Sequence, residues 1–254
     1  MSRLISQPVF VILITFTTMW LSANLGALYG ERMRPLNDEK REDFGTVLAA
    51  TLTLLGLLIG FTFSMSITRY DQRKNYEEAE ANAIGTEYVR VEVLPAADAG
   101  RAKDLLRKYL DQRILFYRNR DHKELLQINA TTAQLQNDLW STVRGPSEAQ
   151  PNPITALVLS GMNDVLNSQG YTTAAWLNRI PIAAWLLMRA IALGANFLIG
   201  YGERRKDKFL LLIVPLAVSL SFFLVADIDS PRNGLISVQP QNLILLSESL
   251  NATR

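Results

Sequence analysis

The chain has 254 residues, 48% of them hydrophobic, and its 26 basic and 24 acidic side chains leave a formal charge of +2. A mean hydropathy of +0.08 is high for a water-soluble domain of this size and points to a membrane protein. The absence of cysteine excludes disulfides, thiolate nucleophiles and Cys-ligated metals, and no basic run is dense enough for a nucleic-acid partner.

A helix crosses the hydrocarbon core with about 20 mostly apolar residues. Four windows reach or approach that length: residues 8–29, 46–68, 180–201 and 209–226. The first exceeds the usual signal-peptide core, and "LSANLGALYG" is a poor cleavage site, so it is read as a retained anchor. The second has no proline, and no glycine between Phe61 and Ile84, so its helix is expected to continue through "RYDQRKNYEEAEANAIGTEY" and to end at Leu94, before Pro95. Such a helix would couple the membrane to a soluble layer.

That layer reads as helical. In "AKDLLRKYLDQRILFYRN", Leu105, Leu106, Tyr109, Leu110, Ile114 and Tyr117 share one stripe. "RGPSEAQPNP", residues 144–153, reads as a loop between two helices. The expected fold is therefore all-α, with four transmembrane helices and a soluble helical domain between the second and third. The domain boundaries are 1–68 for the first transmembrane pair, 69–179 for the soluble domain and 180–226 for the second pair. Residues 227–254 form a C-terminal tail packing on the soluble domain.

Little in the chain suggests catalysis, and no cofactor motif is present. His122, the only histidine, sits among charges in "NRDHKELL" and reads as a solvated helix start, because a zinc site needs three or four clustered ligands. The glycines of "GANFLIGYG" lack phosphate-loop spacing. Glu77 and Glu80 read as part of a solvated charged face.

Two intramembrane features carry more weight. Arg189 lies near the centre of the third span, where an ionisable residue is a functional candidate, and no Asp or Glu at similar depth in the four windows can pair with it. Its guanidinium either bonds helix-end carbonyls or a neighbouring subunit, or faces a wet cavity or ion path; Asn196, two turns on, suits either. In the second span, Gly56 and Gly60 form a small-xxx-small pair suited to close helix packing. Alternatively, Thr53, Leu57 and Phe61, spaced by four, would form stacked rings around a pore in a symmetric oligomer.

The Gly60–Phe61 pair, followed by "RYDQR" from Arg69, resembles the second transmembrane helix of the bestrophin channels. "RIPIAAW" at residues 179–185 is similar to their Ile-Pro lead-in to the third span, and "DIDSPRNG" at 227–234 to their acidic-x-Pro-x-Gly segment. The pattern is closer still to a bacterial membrane family described as bestrophin-like. The resemblance implies a homo-oligomeric, pentameric ion channel in the bacterial inner membrane, passing small inorganic ions. It implies a pore neck at Thr53, Leu57 and Phe61 and a second constriction at Ile180, beside Pro181. Arg69, Asp71 and Arg73 would then mark the helix exit and its coupling to the soluble domain. Thr53 departs from the apolar preference of bestrophin necks. "LISVQPQN" lacks the carboxylates of the animal calcium clasp, so calcium gating is not carried over.

An even number of spans puts both termini and the soluble domain on one side. Near the spans, the short loops hold Arg32, Arg34, Lys40, Arg41, Arg204, Arg205, Lys206 and Lys208. The other side holds Arg3, Arg69, Arg73, Lys74, Arg179 and Arg232. This leans slightly towards cytoplasmic loops, whereas the resemblance puts the soluble domain and termini in the cytoplasm and is preferred. The rival to a channel is a non-conducting membrane scaffold or sensor.

Overall fold

The computed structural model describes residues 8–32, 38–202 and 209–252. Of the charges weighed for orientation, Arg3, Arg34, Arg204, Arg205, Lys206 and Lys208 lie outside the described residues. Among the described residues the protein is all-helical, without strands. Its helices are α1 (Pro8–Arg32), α2 (Asp38–Arg90), α3 (Ala96–Arg118), α4 (His122–Ala149), α5 (Pro153–Leu177), α6 (Ile182–Gly202), α7 (Leu210–Asp229) and α8 (Gln241–Ala252). Among the described residues, four helical segments are long and apolar enough to cross a membrane. The chain separates into two compact units, one of Met1–Arg69 with Arg179–Ser237 and one of Tyr70–Asn178 with Val238–Arg254.

In the first unit, Met19, Leu55, Met188, Ala192, Val218 and Phe222 form a core contributed by α1, α2, α6 and α7. The tightest approach is between α1 and α6. A Cβ at Gly26 would lie 2.0 Å from the Phe197 carbonyl oxygen, and one at Gly200 would lie 1.8 Å from that of Ala23. Glycine is required there because backbone meets backbone, the usual device for close helix crossings in lipid. The hydroxyl of Ser22 donates to the Leu193 carbonyl at 2.8 Å across the same crossing. Gly56 and Gly60, the pair expected to allow close packing, have no atom within 4 Å of a Cβ position in this chain.

The second unit is built on the far part of α2. Its core includes Ile84, Leu106, Tyr109, Leu139, Met162, Val165 and Leu243. The expected α3 stripe is present: Leu106, Tyr109, Leu110 and Tyr117 are buried, and Leu105 and Ile114 pack partly buried against them. Helix α2 runs 53 residues, about 80 Å at 1.5 Å per residue. A 3₁₀ turn at Val91–Val93 tightens it, and extended Leu94 stops it before Pro95.

Helix starts use side-chain caps. The Asp121 carboxylate accepts from the N–H groups of Lys123 and Glu124, and Asn152 and Thr155 form a capping box with Pro153 at the first turn of α5. His122 opens α4 and is exposed.

Two expectations are corrected. The loop read over residues 144–153 is helix as far as Ala149, with Pro146 inside α4. Pro146 follows Gly145, whose missing Cβ removes much of the clash that bars helix before proline, and the helix ends one turn later. The solvated face read for Glu77 and Glu80 is also wrong, since these side chains are only 1% and 0% exposed. A buried carboxylate needs partners, and both have them.

Candidate functional site

Helix α2 presents two contrasting faces. Leu55, Thr62 and Ser66 lie on the buried one, with Leu58 and Ile59 partly buried beside Leu55 in the first unit's core. At 100° per residue the opposite side carries Thr46, Ala50, Thr53, Leu57, Gly60, Ser64 and Thr68, all exposed. Phe61, at the edge of this strip, is 64% exposed and Leu57 53%. Only 6% of the most apolar window of this helix is buried within the chain. The same helical phase continues to Asp71, Asn75, Glu78 and Asn82, also exposed. Within the membrane-length segment the strip is uncharged; beyond it the strip is acidic and lacks Lys and Arg.

The lead-in to α6 is held from its own unit. The Ile180 N–H donates to both carboxylate oxygens of Asp229 at 3.2 Å, and the Arg69 guanidinium lies 3.5 Å from the same carboxylate. One acidic group at the end of α7 thus ties α2 to the turn before α6. Two residues earlier, Asp227 accepts from the N–H groups of Leu235 at 2.7 Å and Ile236 at 2.8 Å. A Cβ at Gly234 would fall 2.3 Å from the Asp227 carbonyl oxygen, so that turn requires glycine. Ile180 is itself buried, whereas Pro181 is exposed.

Arg189 is half-buried and lines a cavity of about 350 Å³ that also reaches Arg179. A guanidinium at this depth costs about 3 kcal/mol on insertion scales. Asn196 does not join it: fully buried, it donates to the Ala192 carbonyl at 2.8 Å, and its Oδ1 finds no partner among the described residues.

The three residues expected at the helix exit serve different partners. Arg69 holds Asp229, and Asp71 is exposed. Arg73, 1% exposed, donates to the carbonyls of Ala175 at 3.2 Å and Asn178 at 3.3 Å, satisfying the C-terminal end of α5.

Sequence reasoning missed the polar interior of the second unit. Glu80 pairs with Arg113 and accepts from the Tyr117 hydroxyl and the Thr172 hydroxyl, each at 3.2 Å. The Arg113 guanidinium lies 4.4 Å from the centre of the Phe116 ring. Burial first, then the Glu80 charge, hold the Tyr117 phenol well above its ordinary range. Glu87 is buried without a hydrogen-bond partner among the described residues, and a Cβ at Gly161 would lie 2.0 Å from its Oε2. Burial pushes its carboxyl up from 4.5 to about 8 against the lowering pull of Arg90, with Asp164 adding a smaller rise. The signal for these residues was a phase relation: Arg73, Glu77, Glu80 and Glu87 share the stripe that holds Ile84.

Among solved structures, a variant of a bacterial bestrophin homologue from Klebsiella pneumoniae matches with a TM-score of 0.66 at 13% identity, covering 95% of this chain and 94% of that one. Another structure of a bacterial bestrophin homologue from that organism gives 0.64 at 15% identity, covering 96% and 97%. At these identities the likeness concerns the fold. No curated protein matches the chain. A family model described as the bestrophin-like domain matches residues 17–243. With that match over most of its length and an all-helical, four-span architecture like that of the solved homologues, the chain belongs to the bestrophin-like family.

Proposed function

We propose that the protein is the subunit of an oligomeric ion channel whose conduction path is lined by the exposed face of α2. The carrying observation is that Thr53, Leu57 and Phe61 sit uncovered on one side of a membrane-length helix whose other side holds the core. A symmetric ring of such helices, five in the bestrophin manner, would stack these residues into a narrow and largely apolar neck able to gate by dewetting. Thr53 makes the Thr53 ring wetter than the other two. The second constriction falls at the turn of Ile180 and Pro181, where exposed Pro181 is the group available to line it. The proposed setting is the bacterial inner membrane, with the soluble unit and termini in the cytoplasm.

The acidic continuation of the strip, at Asp71 and Glu78, favours cations over anions by raising their local concentration. Ion flux from liposomes of the purified protein, under separate potassium and chloride gradients, tests the reading. Potassium flux should exceed chloride flux, Phe61→Ala and Leu57→Ala should change conductance severalfold, and Asp71→Asn with Glu78→Gln should lower the potassium preference. Wild-type conductance in both neck variants would sink the assignment of the neck. The rival, a non-conducting scaffold or sensor, draws on the same uncovered face, used there for subunit packing alone. A monomer or dimer in detergent, or no flux from well-inserted oligomers, would favour it.

A further inference from the structure

The cavity beside Arg189 has a composition that the channel reading does not use. Its wall is mainly apolar, with Ile182, Trp185 and Leu186 from the first turns of α6 and Val11 from α1. Two guanidiniums, those of Arg179 and Arg189, line it, and among the described residues neither has an acidic or hydrogen-bonding partner. The one carboxylate in the wall, Asp229, is already engaged by the Ile180 N–H and by Arg69. The cavity therefore keeps two uncompensated positive charges. Helical side chains lean towards the N-terminus of their helix, so Arg189 reaches back towards Arg179 and the lead-in. The first turn of α6, which borders the cavity at Ile182, contains no acidic residue and adds the positive end of its dipole. A volume of about 350 Å³ falls within the range, roughly 300–1,000 Å³, that holds small ligands.

We propose that this cavity binds an anionic amphiphile, with a phosphate or carboxylate headgroup held between Arg179 and Arg189 and an acyl chain against Val11, Ile182, Trp185 and Leu186. The apolar wall selects against a small free anion, and the two cations select against a purely apolar guest. The bilayer around the first unit supplies such molecules directly, as phospholipid or as free fatty acid. Binding is independent of conduction, so the proposal stands or falls apart from the channel reading.

The test uses the full-length protein in zwitterionic nanodiscs, reading saturable binding by native mass spectrometry and the shift in unfolding midpoint. The probes are phosphatidylglycerol, oleate, phosphatidylcholine and inorganic phosphate. Saturable binding of phosphatidylglycerol or oleate, but not of the other two, is expected; which of the two binds tells phospholipid from fatty acid. Arg189→Gln and Arg179→Gln should each weaken binding about tenfold, the tenfold matching one lost charged contact, whereas Arg189→Lys should retain most of it. Leu186→Trp, which fills the cavity and leaves both charges, should abolish it. Equal binding of phosphatidylcholine, binding of phosphate alone, or undiminished affinity in Arg189→Gln and Leu186→Trp would overturn the proposal.

Discussion

Glu77 caps the start of a helix far along the chain: one carboxylate oxygen accepts the N–H of Leu243, 166 residues away in sequence, at 3.0 Å, and the other accepts from the Asn242 side-chain amide at 2.7 Å. The carboxylate sits at the positive end of α8 and satisfies one backbone N–H that its first turn leaves free, that of Leu243. Glu77→Ala should therefore release the start of α8, speeding amide exchange there and lowering stability by about 1–3 kcal/mol. Glu77→Gln, which keeps an acceptor but not the charge, should lose less. Hydrogen exchange read by mass spectrometry distinguishes the two.

The Glu80–Arg113 pair is buried on both sides, with no exposure of either side chain. Arg113→Met leaves a buried carboxylate with only hydroxyl partners and should cost about 3–5 kcal/mol. Adding Glu80→Leu removes the stranded charge, so the double variant should recover a substantial part of that loss. Denaturant unfolding of the four-member cycle reads the coupling; additive single losses would mean that the pair is not coupled.

The raised carboxyl of Glu87 makes stability depend on pH in a stated direction. The native state holds a proton that the unfolded chain releases, so stability falls as pH rises from the unfolded value of 4.5 to the folded value of about 8, and the loss is complete above that. Glu87→Gln should flatten this slope, and its advantage over wild type should grow up to about pH 8. Unfolding midpoints between about pH 5 and 9 check it; parallel curves would show that Glu87 does not titrate in that window.

Glycine substitutions separate packing within the chain from the uncovered face. Gly26→Ala or Gly200→Ala drives a methyl into opposing backbone and should cost about 3 kcal/mol or more. Gly56→Ala and Gly60→Ala meet nothing in the chain, and their better helix propensity should stabilise a lone subunit by up to about 1 kcal/mol. If these two substitutions instead dissociate the oligomer while the subunit stays folded, other subunits pack against that face. Size-exclusion chromatography with light scattering reads the difference.

The spans were legible in the sequence because a membrane segment needs only length and apolarity, both local properties. The run of α2 past the membrane and its stop before Pro95 were legible for the same reason, as was the α3 stripe from Leu106 to Tyr117. Glu77 and Glu80 were not. Their partners stand far along the chain, with Arg113 33 residues from Glu80, and a charged residue on a polar helix carries no local mark of burial. The position of Glu77 and Glu80 on the face of Ile84 was the available clue. Gly26 did carry a signal, since Gly30 follows it at small-xxx-small spacing in the first span; Gly200 has no small residue four positions away, and nothing nearby announces its opposing backbone. At the candidate site, the spacing of Thr53, Leu57 and Phe61 predicts a shared face, and the structure leaves all three exposed. Asp229 was read only as part of the acidic-x-Pro segment and not as the partner of Arg69, although an acid closing an apolar span with Arg69 at the end of another was a usable signal.

On three successive turns of α2, Arg73, Glu77 and Glu80 each hold a different element: the end of α5, the start of α8 and the middle of α3. A one-residue insertion or deletion among them would rotate the following contacts by about 100°, off their partners. This stretch therefore tolerates substitution at its outward positions, such as Asn75 and Glu78, far better than any change in length. It also resists twisting about its own axis, because a roll large enough to free one of the three charges would strand the other two in the interior.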